Sequence, residues 1–147
     1  MALKDLDAEG EDGAGTTAAQ QLLEELCREG AAEEHVNVLL DPGALVLQDN
    51  EELAREWLKR RPDRRAVVFF DGDRQRVVSR EQLEGCGDSM ALGESAFAGD
   101  LSDCLVYMDD EHTRGSDFQL PLETRAVLTL GKGLQKDKFM QACMRMR

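Results

Sequence analysis

Apolar residues in this chain fall in short uninterrupted runs separated by polar, turn-forming stretches. His-Val-Asn-Val-Leu-Leu at 35–40 is one, Ala-Leu-Val-Leu at 44–47 a second, and Arg-Ala-Val-Val-Phe-Phe at 65–70 a third. Residues 101–108 and 125–130 follow. Runs of this length, rich in β-branched residues and bounded by Gly, Pro and Asp, are too short for helices and predict strands buried on both faces. Asp71-Gly-Asp73 predicts a tight turn after the third run, with residues 75–78 returning as a hairpin partner.

Between the runs the apolar spacing changes to that of helices. Ala18, Leu22, Leu23, Leu26 and Cys27 share one face, capped by Thr16 or Thr17 and stopped by Gly30. Leu53, Ala54, Trp57 and Leu58 share another, after a cap at Asp49 or Asn50 and before Pro62. Phe139, Met140, Cys143 and Met144 form the stripe of a closing helix over 135–147. Residues 80–103, broken by four glycines, predict a loop-rich insertion with one helical turn at 81–84. Strands alternating with helices predict an α/β fold, a mainly parallel sheet flanked by helices in three layers.

Composition adds a division of the chain. Residues 1–15 are acidic and Gly-rich and are expected to be a disordered tail, leaving residues 16–147 as a single α/β domain, cut short at its C-terminus. The net charge is −12, yet residues 1–34 hold ten acids against two bases, while residues from Arg125 onward hold six bases against Asp137. The basic end suits an anion; the aromatic share of 5% argues against a stacking surface for nucleic acid. Cys27, Cys86, Cys104 and Cys143 lack Cys-x-x-Cys spacing and there are two histidines, so no metal site is expected and the thiols read as reduced. The absence of a signal-like or membrane-spanning apolar stretch makes an intracellular location, cytoplasmic or nuclear, the expectation, without a membrane partner.

Candidate chemistry concentrates just past the strand at 101–108. Asp109, Asp110, Glu111, His112, Thr113, Arg114, Ser116 and Asp117 surround Gly115, and in a parallel sheet the loops leaving the carboxyl ends of strands build the site. Gln141 and Arg145 lie four apart on the closing helix, so an always-charged guanidinium projects from the face that Gln141 shares. Thr-Arg-Gly-Ser-Asp-Phe at 113–118 resembles motif V of superfamily-two helicases and of the preprotein-translocase ATPase. Gln141 to Arg147 is similar to their motif VI, Gln-x-x-Gly-Arg-x-x-Arg, with Met144 in place of the glycine. This likeness implies the second RecA-like domain of a helicase, with Asp109, Asp110, His112, Thr113, Arg114, Gly115, Asp117, Gln141 and Arg145 as its motif positions. It also implies ATP as a cofactor of a longer protein. The chain holds no Gly-x-x-x-x-Gly-Lys-Ser/Thr loop, so no cofactor is expected for this segment alone.

A second resemblance is closer. Residues 104–121, 126–137 and 141–147 resemble the carboxyl-terminal part of very large eukaryotic proteins catalogued as ubiquitinyl hydrolases, grouped with the ovarian-tumour-like deubiquitinases, and the likeness extends over about residues 36–147. It implies thiol-dependent cleavage of ubiquitin conjugates, with ubiquitin or its conjugates and the rest of a larger chain as partners. Such chemistry needs a thiolate beside an oriented imidazole. Cys104 and His112 are the candidates, but an extended 104–108 separates Cys104 from the loop by more than about 13 Å. The nucleophile signature Asp-Gly-x-Cys is absent, since Asp71-Gly72-Asp73 leads to Arg74. Three readings therefore stand: a deubiquitinase-family segment that is inactive alone, half of a helicase-like ATPase, or a partner-binding module that retains the fold.

Overall fold

The computed structural model describes residues 2–5, 17–28, 36–42, 49–113, 118–131 and 133–144. Local chemistry accounts for its helices. Helix α1, Ala18–Leu26, begins at Thr17, whose hydroxyl accepts the Gln20 N–H while the Gln20 side chain accepts the Thr17 N–H. Helix α2, Asn50–Arg60, begins at Asp49, whose carboxylate accepts the N–H groups of Glu51 and Glu52 at 2.9 and 3.1 Å. Acidic Glu51 and Glu52 in its first turn and basic Lys59 and Arg60 in its last complement the helix dipole. Helix α3, Arg80–Glu84, is a single capped turn, and α4, Lys136–Met144, buries Ala142.

Among the described residues seven strands form one sheet: β1 Ala2–Asp5, β2 Val36–Leu40, β3 Ala66–Asp71, β4 Arg74–Ser79, β5 Met90–Ala91, β6 Cys104–Met108 and β7 Arg125–Leu130. Their spatial order is β1-β7-β2-β6-β3-β4-β5, the first five parallel and the last two antiparallel additions. The β3–β4 turn is two residues long and puts Gly72 at φ +54°, a conformation a side chain disfavours. The strands predicted at 35–40, 65–70, 75–78, 101–108 and 125–130 are all present, with the fourth beginning at Cys104. The run at 44–47 and the helix stops at Gly30 and past Met144 lie outside the described residues.

The tail expected over residues 1–15 needs correction for its start. Ala2–Asp5 pairs in parallel with residues 127–130, because β7 would otherwise end the sheet with a row of unpaired backbone groups. Residues 6–15 lie outside the described set. The 80–103 insertion is also more regular than expected, with α3, β5 and a 3₁₀ turn at Leu92–Glu94. None of the described helices is long and apolar enough to cross a membrane.

Both sheet faces are covered. On one, α1 and α2 deliver Leu22, Leu23, Leu26, Leu53, Trp57 and Leu58 onto Leu39, Val67, Phe69, Leu105, Tyr107 and Val127. On the other, Ala142 of α4, Leu92 and Leu101 meet Val38, Leu40, Val68, Phe70, Val106, Met108 and Leu128, with Phe118, Leu120 and Phe139 against them. This double burial explains why the strand runs are continuously apolar rather than alternating.

The amino-terminal edge of the sheet is tied by arginines. Arg61, 4% exposed, donates to the Val36 carbonyl at 2.6 Å and through Nε and a terminal nitrogen to both Asp63 oxygens at 2.9 Å. Those hydrogen bonds hold the Asp63 carboxyl at about 2, below its ordinary value of 3.8. A depressed carboxyl stabilises the fold above its unfolded value and loses that contribution as pH falls through the folded one. Unfolding in urea should therefore lose stability between about pH 4 and pH 2 by a component that Asp63→Asn lacks. Half-exposure of Asp63 screens the pair, keeping this component below about 1 kcal/mol. Equal pH slopes in the two proteins would refute it.

Candidate functional site

Sheet register brings a set of polar groups to one level. Leu40 aligns with Met108 on one side and Leu128 on the other, so Asp41, Asp109 and Thr129 follow at the carboxyl ends of three adjacent parallel strands. The Asp41 N–H donates to the Met108 carbonyl at 2.9 Å, and the Thr129 hydroxyl donates to the Asp41 carboxylate. Asp41 and Thr129 are buried, 1% and 0% exposed. From β2 the chain leaves toward α2 on one face, whereas from β6 and β7 it leaves toward Phe118 and α4 on the other. The carboxyl ends of the strands are where α/β sheets place their ligands.

Asp109 is the hub of this edge. Its Oδ1 accepts the backbone N–H of His112 at 3.0 Å and lies 2.5 Å from His112 Nδ1; its Oδ2 accepts the Asn50 amide at 2.6 Å. The same Asn50 nitrogen donates to the Phe70 carbonyl at 2.9 Å. The Phe70 ring in turn stacks on the imidazole, with centroids 4.0 Å apart and planes 8° from parallel, and meets Phe118 edge-on at 5.7 Å. His112 is 8% exposed and Thr113 1%. Thr113 closes the turn, its N–H donating to the Asp109 carbonyl and its hydroxyl to the Asp110 carbonyl. Lys138 of α4 reaches both Asp110 oxygens at 3.1 and 3.2 Å.

Of the residues singled out from the sequence, Asp109, Asp110, His112 and Thr113 thus form one compact turn, and α4 touches it through Lys138. Gln141 is exposed, and its side chain makes no hydrogen bond among the described residues. Arg114, Gly115, Ser116, Asp117, Arg145 and Arg147 lie outside them. Asn50 and Phe70 belong to the site although their sequence patterns mark only a helix start and a core strand. Nothing local signals their role, since Asn50 meets Asp109 across 59 positions.

The thiols lie elsewhere. Cys104 starts β6 and His112 follows its end, so the strand separates them. Cys104 is 2% exposed, and burial, reinforced by Asp103 and Asp100, pushes its thiol up to about 12. Its side of the sheet borders a cavity of about 670 Å³ at the amino ends, lined also by Asn37, Arg64 and Arg125. Cys27 is likewise raised by burial, Cys143 is half-buried, and exposed Cys86 sits at φ +53° in the 85–87 loop. None of the four has a hydrogen-bonded imidazole among the described residues.

Beneath the polar row lies Tyr107, buried, its hydroxyl without a hydrogen-bond partner among the described residues. Burial, then the Asp41 and Asp109 carboxylates, push its pKa up, so the phenol stays neutral. No group of three or more His, Cys, Asp or Glu side chains among the described residues is placed to hold a metal ion. What the edge offers instead is an imidazole oriented by a carboxylate, with Cys104 at the opposite end of β6. Compared with protein families, with curated proteins and with solved structures, the chain matches none.

Proposed function

We propose that this chain supplies an oriented imidazole for thiol-dependent hydrolysis of ubiquitin conjugates, the activity implied by the ubiquitinyl hydrolases that residues 36–147 resemble. One observation carries the reading: Asp109 Oδ1 lies 2.5 Å from His112 Nδ1 while two further donors hold the carboxylate in place. A carboxylate on Nδ1 leaves Nε2 as the basic atom, the arrangement in which histidine serves as general base. His112 Nε2 takes the proton of a cysteine thiol as its sulfur attacks the isopeptide carbonyl. The resulting imidazolium then returns that proton to the departing lysine amine, leaving a thioester. Water, deprotonated by the same nitrogen, hydrolyses the thioester and restores the thiol.

The nucleophile in this scheme is a thiol other than Cys27, Cys86, Cys104 and Cys143. Cys104 has the wrong position and remains protonated near neutral pH, because its thiol titrates at about 12. A ubiquitin bearing a carboxyl-terminal electrophile tests the assignment. The 147-residue chain alone is expected to give no adduct, whereas the longer protein gives one on a cysteine outside these four. An adduct on any of the four, mapped by mass spectrometry, would refute it.

A second reading has its own support. The mainly parallel sheet, the placement of residues 109–113 at its carboxyl ends and the Lys138–Asp110 contact, which ties α4 to the turn after β6, suit the second RecA-like half of a helicase-like ATPase. There the ligand is a nucleotide phosphate shared with a half that carries the Gly-rich loop. ATP binding that requires both that half and Arg145 would favour this reading over the first.

A further inference from the structure

Phe70, Asn50, Asp109 and His112 form a closed circuit. The Phe70 carbonyl accepts from Asn50 at 2.9 Å, Asn50 donates to Asp109 at 2.6 Å, Asp109 meets His112 Nδ1 at 2.5 Å, and the imidazole lies on the Phe70 ring at 4.0 Å. Four residues from α2, β3 and the loop after β6 thereby fix one another. The Asn50 orientation follows from the contacts: turned over, its oxygen would face a carbonyl and a carboxylate, two acceptors with no hydrogen between them. Both amide hydrogens are consequently committed, one to β3 and one to Asp109.

We infer that Asn50 and Phe70 are positioning residues that hold His112 in the Nδ1–H tautomer, with Nε2 as its basic nitrogen. The inference deepens the reading of His112 as a general base and rests on it for its catalytic meaning. Two degrees of freedom are fixed. Asn50 anchors Asp109 Oδ2, which keeps Oδ1 turned to the imidazole; Phe70 fixes the plane of the ring, and 8% exposure of His112 leaves it little room to turn. Phe70 contributes to both, through its carbonyl and through its ring.

The test separates positioning from catalysis. In ¹⁵N-labelled protein at about pH 8.5, where imidazoles are neutral, ring-nitrogen shifts report the tautomer directly. The wild-type His112, distinguished from His35 by the spectrum of His112→Gln, is expected to show a protonated Nδ1 and a bare Nε2. Asn50→Ala and Phe70→Leu should each raise the Nε2–H population several-fold, with Asp109→Ala setting the upper limit. The two substitutions lie on different elements, so unfolding of one leaves the other to report. Wild-type ring shifts in a folded Asn50→Ala or Phe70→Leu protein would overturn the inference. In the longer protein the same substitutions should lower ubiquitin-conjugate hydrolysis on the order of 10- to 100-fold in kcat at unchanged KM. Shifted tautomers with unchanged hydrolysis would overturn the general-base reading and leave the positioning intact.

Discussion

On the proposed general-base role, replacing His112 by Gln is expected to lower kcat for ubiquitin-conjugate hydrolysis by about 10²- to 10⁴-fold. Glutamine keeps a donor within reach of Asp109 and a flat amide beside Phe70, so the turn at 109–113 retains its shape. It has no nitrogen able to take a proton near neutral pH. Since proton transfer occurs in the transition state, kcat falls while KM holds. The fold should survive, because His112 is one partner of a turn that also has the Thr113 bonds and the Asn50–Asp109 bond. A stability loss of about 1 kcal/mol, read as a fall of roughly 2–4 °C in Tm, is the expected structural cost. Hydrolysis at the wild-type rate in His112→Gln would remove the imidazole from the mechanism.

Trp57→Ala is expected to cost about 3–5 kcal/mol of folding stability, against the roughly 5–15 kcal/mol that a domain possesses. Trp57 is fully buried at the centre of α2, and its indole belongs to the cluster with Leu22, Leu26, Leu105, Tyr107 and Val127. Its N–H has no partner among the described residues, so truncation breaks no hydrogen bond there and the loss is one of packing and transfer. Helix α2 also places Asn50, which makes the consequence reach the site. Urea unfolding measures the loss, and His112 ring shifts in the folded fraction measure the disturbance at the carboxyl edge. A cost below about 1 kcal/mol would mean that α2 repacks on the sheet without its largest side chain.

Much of the architecture is legible in particular stretches. Asp49 followed by Glu51 and Glu52, with Leu53, Ala54, Trp57 and Leu58 at helical spacing, specifies α2 from cap to end. The β3–β4 hairpin is equally local, since Gly72 supplies the one backbone conformation its two-residue turn needs. The turn at 109–113 was also accessible, because five polar residues directly after a buried strand have few other uses. The start of the chain departs from its composition for a related reason. Its composition describes a tail, but pairing of Ala2–Asp5 depends on the open edge of β7, more than 120 positions away.

The site shows the same division. Asp109 and His112 are three positions apart and their hydrogen bond follows from one turn of chain. Asn50 reaches Asp109 across 59 positions and Thr129 reaches Asp41 across 88, so neither contact leaves a local trace. Sequence alone determined most of the elements, the double burial of the strands and the place where polar chemistry gathers, because each depends on side chains close along the chain. Only the tertiary structure decided the strand order β1-β7-β2-β6-β3-β4-β5, and with it which neighbours meet at the carboxyl edge. Backbone pairing is blind to side-chain identity, and order among equally apolar strands is settled by crossovers and packing across the whole sheet. That order gives Asp109 its Asn50 and His112 its Phe70, and leaves Cys104 at the opposite end of its strand.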